Sequence, residues 1–234
     1  MLDCTKVVKA MNLQPVKDKK TIGVIKCGSY KDTTMYYKSI DQAREELEIN
    51  IFCMDIENYD KETTQKWLDV FNQSCDKILV LNPIPDNIKE ILKKEIHLDK
   101  DIDGFINSKS CTATAVREIL EYYKIPPRGK AVVVGSNIGW EIAKELKDMG
   151  YTVTVCNSRT ADIKAETIRA DIVVGATGSK NLITADMVKE DAIVIDVGLG
   201  DVSKEVREKA IATPIKDGVG LVITAVLMRE ILNS

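Results

Sequence analysis

The sequence has a single histidine and no cysteine pair with metal-binding spacing. His97 is alone among 234 residues, which leaves little material for a Ser-His-Asp triad or a histidine-rich metal site. The six cysteines are scattered without a C-x-x-C pair, which argues against a zinc site or a disulfide framework and favours a reducing cytoplasm. We therefore expect a cytoplasmic protein without a metal cofactor.

The chain also lacks a strong charge of either sign and any long apolar run. A net charge of -3 does not indicate a protein that binds nucleic acid or an anionic membrane. No signal-peptide pattern occurs, and no apolar run reaches the length of about 18 residues that a membrane helix needs. The hydrophobic content of 44% is ordinary for a globular protein of one or two domains.

Residues 129–160 show a strand, a glycine turn, a helix and a second strand in succession. Ala131–Val134 is apolar and β-branched, as in strands buried on both faces. A helix that begins at Gly139, with helical composition over Glu141–Met149, is followed by a strand over Tyr151–Cys156. Together they complete a βαβ unit, which implies a parallel sheet. Glycines at such a turn let backbone N–H groups approach a phosphate, so we expect a dinucleotide site here.

The turn from Gly135 to Gly139, GSNIG, falls short of the full G-x-G-x-x-G pattern. NAD sites usually place a carboxylate after the second strand, whereas here Ser158, Arg159 and Thr160 follow it. A guanidinium flanked by hydroxyls suits a 2′-phosphate, so the site favours NADP. The alternative is that Arg159 is only a solvated loop residue.

Two further strands are predicted in this half, and both end in glycine. They cover Asp171–Gly175 and Ala192–Val197, the second followed by Gly198. Ligands of doubly wound sheets bind at the carboxyl ends of strands, so three glycine-bearing strand ends favour a coenzyme groove. Tight loops that only pack helices on the sheet are the alternative.

The N-terminal half alternates strands and helices too, but has no glycine-rich phosphate turn. We predict strands over Thr21–Lys26, Asn50–Met54 and Ile78–Leu81, and helices over Thr33–Leu47, Lys61–Asn72 and Asp86–Lys94. Asp32 is a plausible N-cap of the first of these helices. The chain is therefore predicted to be α/β, with two α/β lobes and a substrate cleft between them.

Several motifs match one family together, in order and in spacing. They are Asp99–Phe105, Val153–Thr160, Ala170–Val174, Ile195–Gly198, and Thr213-Pro214 before Gly218–Gly220. Over nearly its whole length the chain resembles the methylenetetrahydrofolate dehydrogenase/cyclohydrolase family. The resemblance implies an N-terminal folate-binding catalytic lobe (1–112 plus 221–234), a Rossmann-type NAD(P) lobe (113–220), and a cytosolic homodimer.

Departures from the family pattern concern the residues credited with hydrolysis. The family has a Tyr-x-x-x-Lys pair on its first long helix; Tyr36 is kept, but Ile40 stands at the lysine position. Lys38 is no obvious substitute, because it lies about 200° around the helix from Tyr36. Leu81 stands where the family has a glutamine.

Two glycine-rich segments of the family are altered as well. The glycine loop lacks two residues around Ser136 and Gly139, and the folate-side run carries Lys216-Asp217 where the family is neutral.

The resemblance implies an NADP-dependent methylenetetrahydrofolate dehydrogenase with weak or lost cyclohydrolase activity. Asp103 would orient the pterin, and Tyr36 would line the folate pocket. The coenzyme phosphates would be held by Gly135, Ser136, Gly139, Ser158 and Arg159; Thr177, Gly178 and Gly198 would border the ribose and nicotinamide. The alternative roles are a turn-capping carboxylate for Asp103 and a half-buried helix aromatic for Tyr36. Alternative functions are oxidation of another one-carbon or imine substrate, and dinucleotide binding without catalysis.

Overall fold

A computed structural model describes residues 1–28, 31–57, 60–106 and 109–234, without the side chains of residues 31–33. The helices are α1 (Cys4–Met11), α2 (Lys31–Glu46), α3 (Lys61–Ser74), α4 (Asp86–Glu95), α5 (Cys111–Tyr122), α6 (Ile138–Asp148), α7 (Ile163–Thr167), α8 (Val206–Lys209) and α9 (Val219–Leu232). The strands are β1 (Thr21–Lys26), β2 (Asn50–Asp55), β3 (Lys77–Val80), β4 (Lys130–Val134), β5 (Thr152–Cys156), β6 (Ile172–Gly175), β7 (Ile193–Asp196) and β8 (Ile211–Ala212). Ala185–Met187 forms one turn of 3₁₀ helix.

The chain divides into two compact units. The N-terminal unit contains residues 12–111 and 224–234, and the C-terminal unit contains residues 1–11 and 112–223. Within the described ranges, no helix has both the length and the apolar character needed to cross a bilayer. The predicted α/β class with parallel sheets is confirmed.

The N-terminal unit is built on a three-stranded parallel sheet in the order β2-β1-β3. Helices α3 and α4 cover one face, because each turns an apolar stripe toward the strands; Leu68, Phe71 and Leu92 are almost fully buried there. Helix α3 begins where the Asp60 carboxylate accepts a hydrogen bond of 2.7 Å from the Thr63 N–H.

The C-terminal unit contains a five-stranded parallel sheet in the order β5-β4-β6-β7-β8. Strands β6 and β7 are buried throughout, and β4 is buried apart from its first residue, as their runs of valine and isoleucine predict. Register pairs Val134 with Cys156 on one side and with Gly175 on the other, and Gly175 with Asp196. Four strands therefore end side by side at one edge of the sheet.

Three local expectations differ from the structure. Helix α2 begins at Lys31, so Asp32 lies inside the helix rather than at its N-cap. Helix α6 begins at Ile138, one residue before Gly139, where the sequence predicts its start. The first helix belongs to the C-terminal unit, not to the predicted lobe of residues 1–112, because the Leu2 N–H donates to the Ala212 carbonyl at 3.0 Å.

Candidate functional site

The predicted coenzyme residues all follow strand ends at the same edge of the C-terminal sheet. They are Gly135, Ser136 and Gly139 after β4, Ser158 and Arg159 after β5, Thr177 and Gly178 after β6, and Gly198 after β7. The register of the four strands brings these loops together. This edge is where ligands bind in open parallel sheets.

The turn after β4 is compact and packs closely on its neighbour. Gly135 has a φ of +151°, and a Cβ at this position would lie 2.3 Å from the Ala176 carbonyl oxygen. A glycine is therefore required here for the close approach of two strand ends, whether or not a phosphate binds. Ser136 is exposed, and the Asn137 side chain does not cap α6.

The turn after β5 leaves a guanidinium available. The Asn157 carboxamide oxygen accepts from the Arg159 N–H, and the Thr160 hydroxyl oxygen accepts from the Asn157 N–H, both at 2.9 Å. These bonds fix the backbone, and both Ser158 and Arg159 are exposed. The Arg159 guanidinium forms no hydrogen bond or ion pair with any residue that the structure describes, which leaves its donors free for an anion.

Sequence reasoning missed a buried carboxylate, Asp201, that contacts two of the predicted residues. Its Oδ2 accepts from the Thr177 N–H at 2.5 Å and from the Thr177 hydroxyl at 2.8 Å. A Cβ on Gly198 would lie 2.2 Å from Asp201 Oδ1. The missing side chain of Gly198 is thus explained by the packing of Asp201, so the glycine alone does not indicate a ligand.

A second buried carboxylate, Asp196 at the end of β7, forms an ion pair of 2.8 Å with Arg207. Asp196 Oδ1 accepts from the N–H groups of Gly200 and Asp201, each at 3.1 Å. Arg207 also donates to the carbonyls of Val202, Ser203 and Thr213. The signal in the sequence was a carboxylate at the end of the apolar run Ile193–Asp196, where a buried charge needs a partner.

Tyr36, Asp103 and Cys111 form a polar cluster in the N-terminal unit. The Tyr36 hydroxyl is buried and has no hydrogen-bond partner within the described part of the chain. Burial, with the nearby Asp103 carboxylate and Cys111 thiol, raises the pKa of Tyr36 well above its ordinary value. The hydroxyl therefore stays protonated near neutral pH and can donate to a ligand, but it cannot act as a phenolate base.

The Asp103 carboxylate holds the start of α5. Its Oδ1 accepts from the Cys111 N–H at 2.6 Å, so the capping role holds for this oxygen. Burial and the Asp103 charge also raise the pKa of the Cys111 thiol. A neutral thiol and a neutral phenol therefore lie beside one carboxylate.

No amine occupies the position one helical turn after Tyr36. Ile40 is there, with none of its surface exposed, and Leu81 is 5% exposed. Lys38 is exposed on α2. Both residues that replace the family's polar groups are thus apolar and buried.

Comparison with known proteins agrees with this geometry. Residues 110–234 match the family model described as tetrahydrofolate dehydrogenase/cyclohydrolase, NAD(P)-binding domain. The chain is 33% identical to the bifunctional protein FolD of Clostridium botulinum, over 98% of this chain and 94% of that protein.

Two solved structures are also similar over nearly their whole length. One is a 5,10-methylenetetrahydrofolate dehydrogenase from the silkworm Bombyx mori, with 30% identity, a TM-score of 0.85, and coverage of 100% of this chain and 96% of that one. The other is a methylenetetrahydrofolate dehydrogenase-cyclohydrolase (FolD) from Trypanosoma brucei, complexed with NADP cofactor and inhibitor. It shares 26% identity with a TM-score of 0.85, over 98% of this chain and 92% of that one. The chain therefore belongs to the tetrahydrofolate dehydrogenase/cyclohydrolase family.

Proposed function

We propose that this protein is an NADP-dependent methylenetetrahydrofolate dehydrogenase whose cyclohydrolase activity is weak or lost. The observation that carries the proposal is Ile40, a fully buried aliphatic side chain at the position where the family has its lysine. Leu81 in place of the family's glutamine supports it. By the same relationship we expect a cytoplasmic homodimer.

The two reactions place different demands on the protein. In dehydrogenation the methylene carbon of the folate loses a hydride, and the adjacent nitrogen lone pair stabilises the cation that results. Bound NADP supplies the hydride acceptor, so the residues of the chain need only position and orient the reactants. Ring hydrolysis needs water to be activated and protons to be moved, for which a general acid–base residue typically contributes about 10²–10⁴-fold. Loss of the amine therefore affects hydrolysis most.

We propose that the N-terminal unit holds the folate, with Asp103 orienting the pterin through hydrogen bonds. The buried Tyr36 hydroxyl supports this assignment, because a buried polar group without a partner is costly unless a ligand completes it. In the C-terminal unit we assign Gly135, Ser136, Gly139, Ser158 and Arg159 to the coenzyme phosphates. The ribose and nicotinamide border is assigned to Thr177, Gly178 and Gly198.

Replacing Tyr36 with phenylalanine should separate binding from stability. Without ligand the variant should be as stable as the wild type, or more stable by up to about 1 kcal/mol, because the hydroxyl it removes is buried and unpaired. Binding of the folate substrate should weaken about five- to tenfold, the worth of one hydrogen bond. Calorimetric unfolding measures the stability, and titration with the folate substrate measures the binding. Tyr37→Phe is the control, because the hydroxyl that it removes is on the same helix but lies beside Cys53. An equal loss of folate binding in both variants would contradict the assignment of Tyr36.

Replacing Arg159 with alanine should weaken NADP binding about 10- to 100-fold, because one guanidinium–phosphate interaction is lost. NAD, which has no 2′-phosphate, should bind the variant within about twofold of the wild type. Dissociation constants for both coenzymes test this. Arg169→Ala provides a control for the loss of one positive charge in the same unit. Equal losses for NADP and NAD would refute the role of Arg159.

Oxidation of a different one-carbon or imine substrate is the second candidate. It is favoured by Lys216 and Asp217, two exposed charges in the run that is neutral in the family. Dinucleotide binding without catalysis is a third candidate, suggested by the joint loss of lysine and glutamine.

The deciding experiment mixes the protein with methylenetetrahydrofolate and NADP and follows the absorbance of methenyltetrahydrofolate. Formation at a rate proportional to protein concentration supports the dehydrogenase. Absence of product despite tight NADP binding excludes it and leaves the other two candidates. Product formation with another imine but not with methylenetetrahydrofolate selects the second candidate, oxidation of a different substrate.

A further inference from the structure

Five polar side chains form a hydrogen-bonded network at the carboxyl ends of β6, β7 and β8; Asp196, Asp201 and Thr213 are buried, Arg207 is half-buried and Thr177 is exposed. This strand-end network consists of Thr177, Asp196, Asp201, Arg207 and Thr213. It contains two carboxylates but one guanidinium, and that guanidinium pairs with Asp196. Asp201 is fully buried and pairs with no cation among the residues that the structure describes.

Asp201 is held instead by Thr177. One carboxylate oxygen takes both the N–H and the hydroxyl of Thr177. The other, Oδ1, is buried against Gly198 and has no hydrogen-bond partner across the described ranges. Burying a carboxylate without a cation is expensive, and a neutral side chain would close this space at lower cost. A charge kept under these conditions calls for a reason beyond packing.

The hydrogen bonds of Thr177 show what the charge does. Its hydroxyl donates to Asp201 and accepts from the Ser179 N–H at 3.0 Å. The hydroxyl is thereby committed to protein partners on both sides, and the loop from Ala176 to Ser179 is fixed at the edge where four strands end. Thr177 is thus suited to shape this loop rather than to bind a ligand through its hydroxyl.

We propose that Asp201 is a positioning residue for the coenzyme: it fixes the loop of residues 176–179 in the conformation that binds the nicotinamide half. The inference rests on the proposed function, since it takes the coenzyme to lie at this edge. Asp201 acts through Thr177, by two charge-assisted hydrogen bonds that a neutral acceptor makes more weakly.

The test measures dissociation constants for NADP by calorimetric titration, together with the free energy of unfolding. Asp201→Asn should bind NADP about 10- to 100-fold more weakly, as expected when charge-assisted bonds to a loop become neutral ones. The matched control is Asp171→Asn at the opposite edge of the same sheet. Asp171 also accepts a hydrogen bond from a backbone N–H, that of Lys130 at 2.7 Å. The Asp171→Asn variant should therefore bind NADP with an affinity within about twofold of the wild type.

A second pair of variants tests the same bond from the other side. Thr177→Val removes the hydroxyl and should weaken NADP binding about tenfold, and Thr177→Ser, which keeps the hydroxyl that bonds to Asp201, should recover most of that affinity. If Asp201→Asn does not fold, these two variants alone test whether the hydrogen bond between Thr177 and Asp201 supports NADP binding. Wild-type affinity in Asp201→Asn or Thr177→Val, or equal losses in Asp171→Asn and Asp201→Asn, overturns the inference. Failure of the wild-type protein to bind NADP overturns the proposed function itself, and with it the inference.

Discussion

Replacing Ile40 with lysine should create enzyme-dependent hydrolysis of methenyltetrahydrofolate, faster than in the wild type by about 10²-fold, at the low end of general acid–base contributions. The new amine would stand one helical turn after Tyr36, whose buried hydroxyl has no partner within the described residues. Burial lowers the pKa of a lysine and brings the amine closer to working as a base near neutral pH. The dehydrogenase rate should change much less, because hydride transfer needs no such base.

The control for this variant is Ile40→Met, which keeps an apolar side chain of similar size. Because Ile40 has no exposed surface, the lysine should also lower the free energy of unfolding by several kcal/mol. Unfolding curves therefore accompany the kinetics. Hydrolysis that stays at the wild-type level in a folded Ile40→Lys enzyme with active dehydrogenase would show that the missing amine is not the cause. Adding Leu81→Gln to Ile40→Lys should raise hydrolysis further, because it returns the second polar group.

Replacing Arg207 with methionine should lower the free energy of unfolding by about 3–5 kcal/mol, the usual cost of removing one partner from a buried ion pair. The Asp196 side chain is 2% exposed and that of Arg207 is 17% exposed. The variant leaves the Asp196 carboxylate buried without its cation. It also leaves the carbonyls of Val202, Ser203 and Thr213 without the donors that Arg207 supplies.

Lys189→Met is the matched control in urea unfolding. It breaks the ion pair between Lys189 and Asp171, whose side chains are 42% and 46% exposed. Water and salt screen such a pair, so the loss should stay below about 1 kcal/mol. If Arg207→Met loses no more stability than Lys189→Met, the strand-end network does not hold the sheet edge together.

Strands β1 to β7 and their order along the chain could be predicted because each is a largely apolar run, and all but β2 have a glycine or proline within three residues of an end. The short elements α7, α8 and β8 could not, since two to five residues carry no detectable period. The place of α1 in the C-terminal unit could not be predicted either, because it depends on contacts between residues far apart in the sequence, such as that of Leu2 with Ala212. Those contacts leave no trace in the local sequence.

Residues of the candidate site could be proposed from the sequence where residue type or a family motif marked them, whereas the buried contacts of Asp196 and Asp201 could not. The exposed guanidinium of Arg159 was proposed from its residue type and position, whereas Tyr36 and Asp103 were proposed from the family motifs that they match. The glycines were interpreted as marks of a ligand, yet Gly135 and Gly198 are required by the close approach of Ala176 and Asp201. A sequence shows where a glycine stands, but it does not show whether a ligand or a neighbouring residue occupies the space that a side chain would fill.

The most direct measurement is the identity of the product after a full turnover of methylenetetrahydrofolate with NADP. Methenyltetrahydrofolate and NADPH are quantified together, and hydrolysis in a protein-free sample is subtracted. We predict nearly equal amounts of the two, with methenyltetrahydrofolate disappearing at close to the rate observed without protein. NADPH accompanied by protein-dependent conversion of most of the methenyltetrahydrofolate to 10-formyltetrahydrofolate would contradict the proposal.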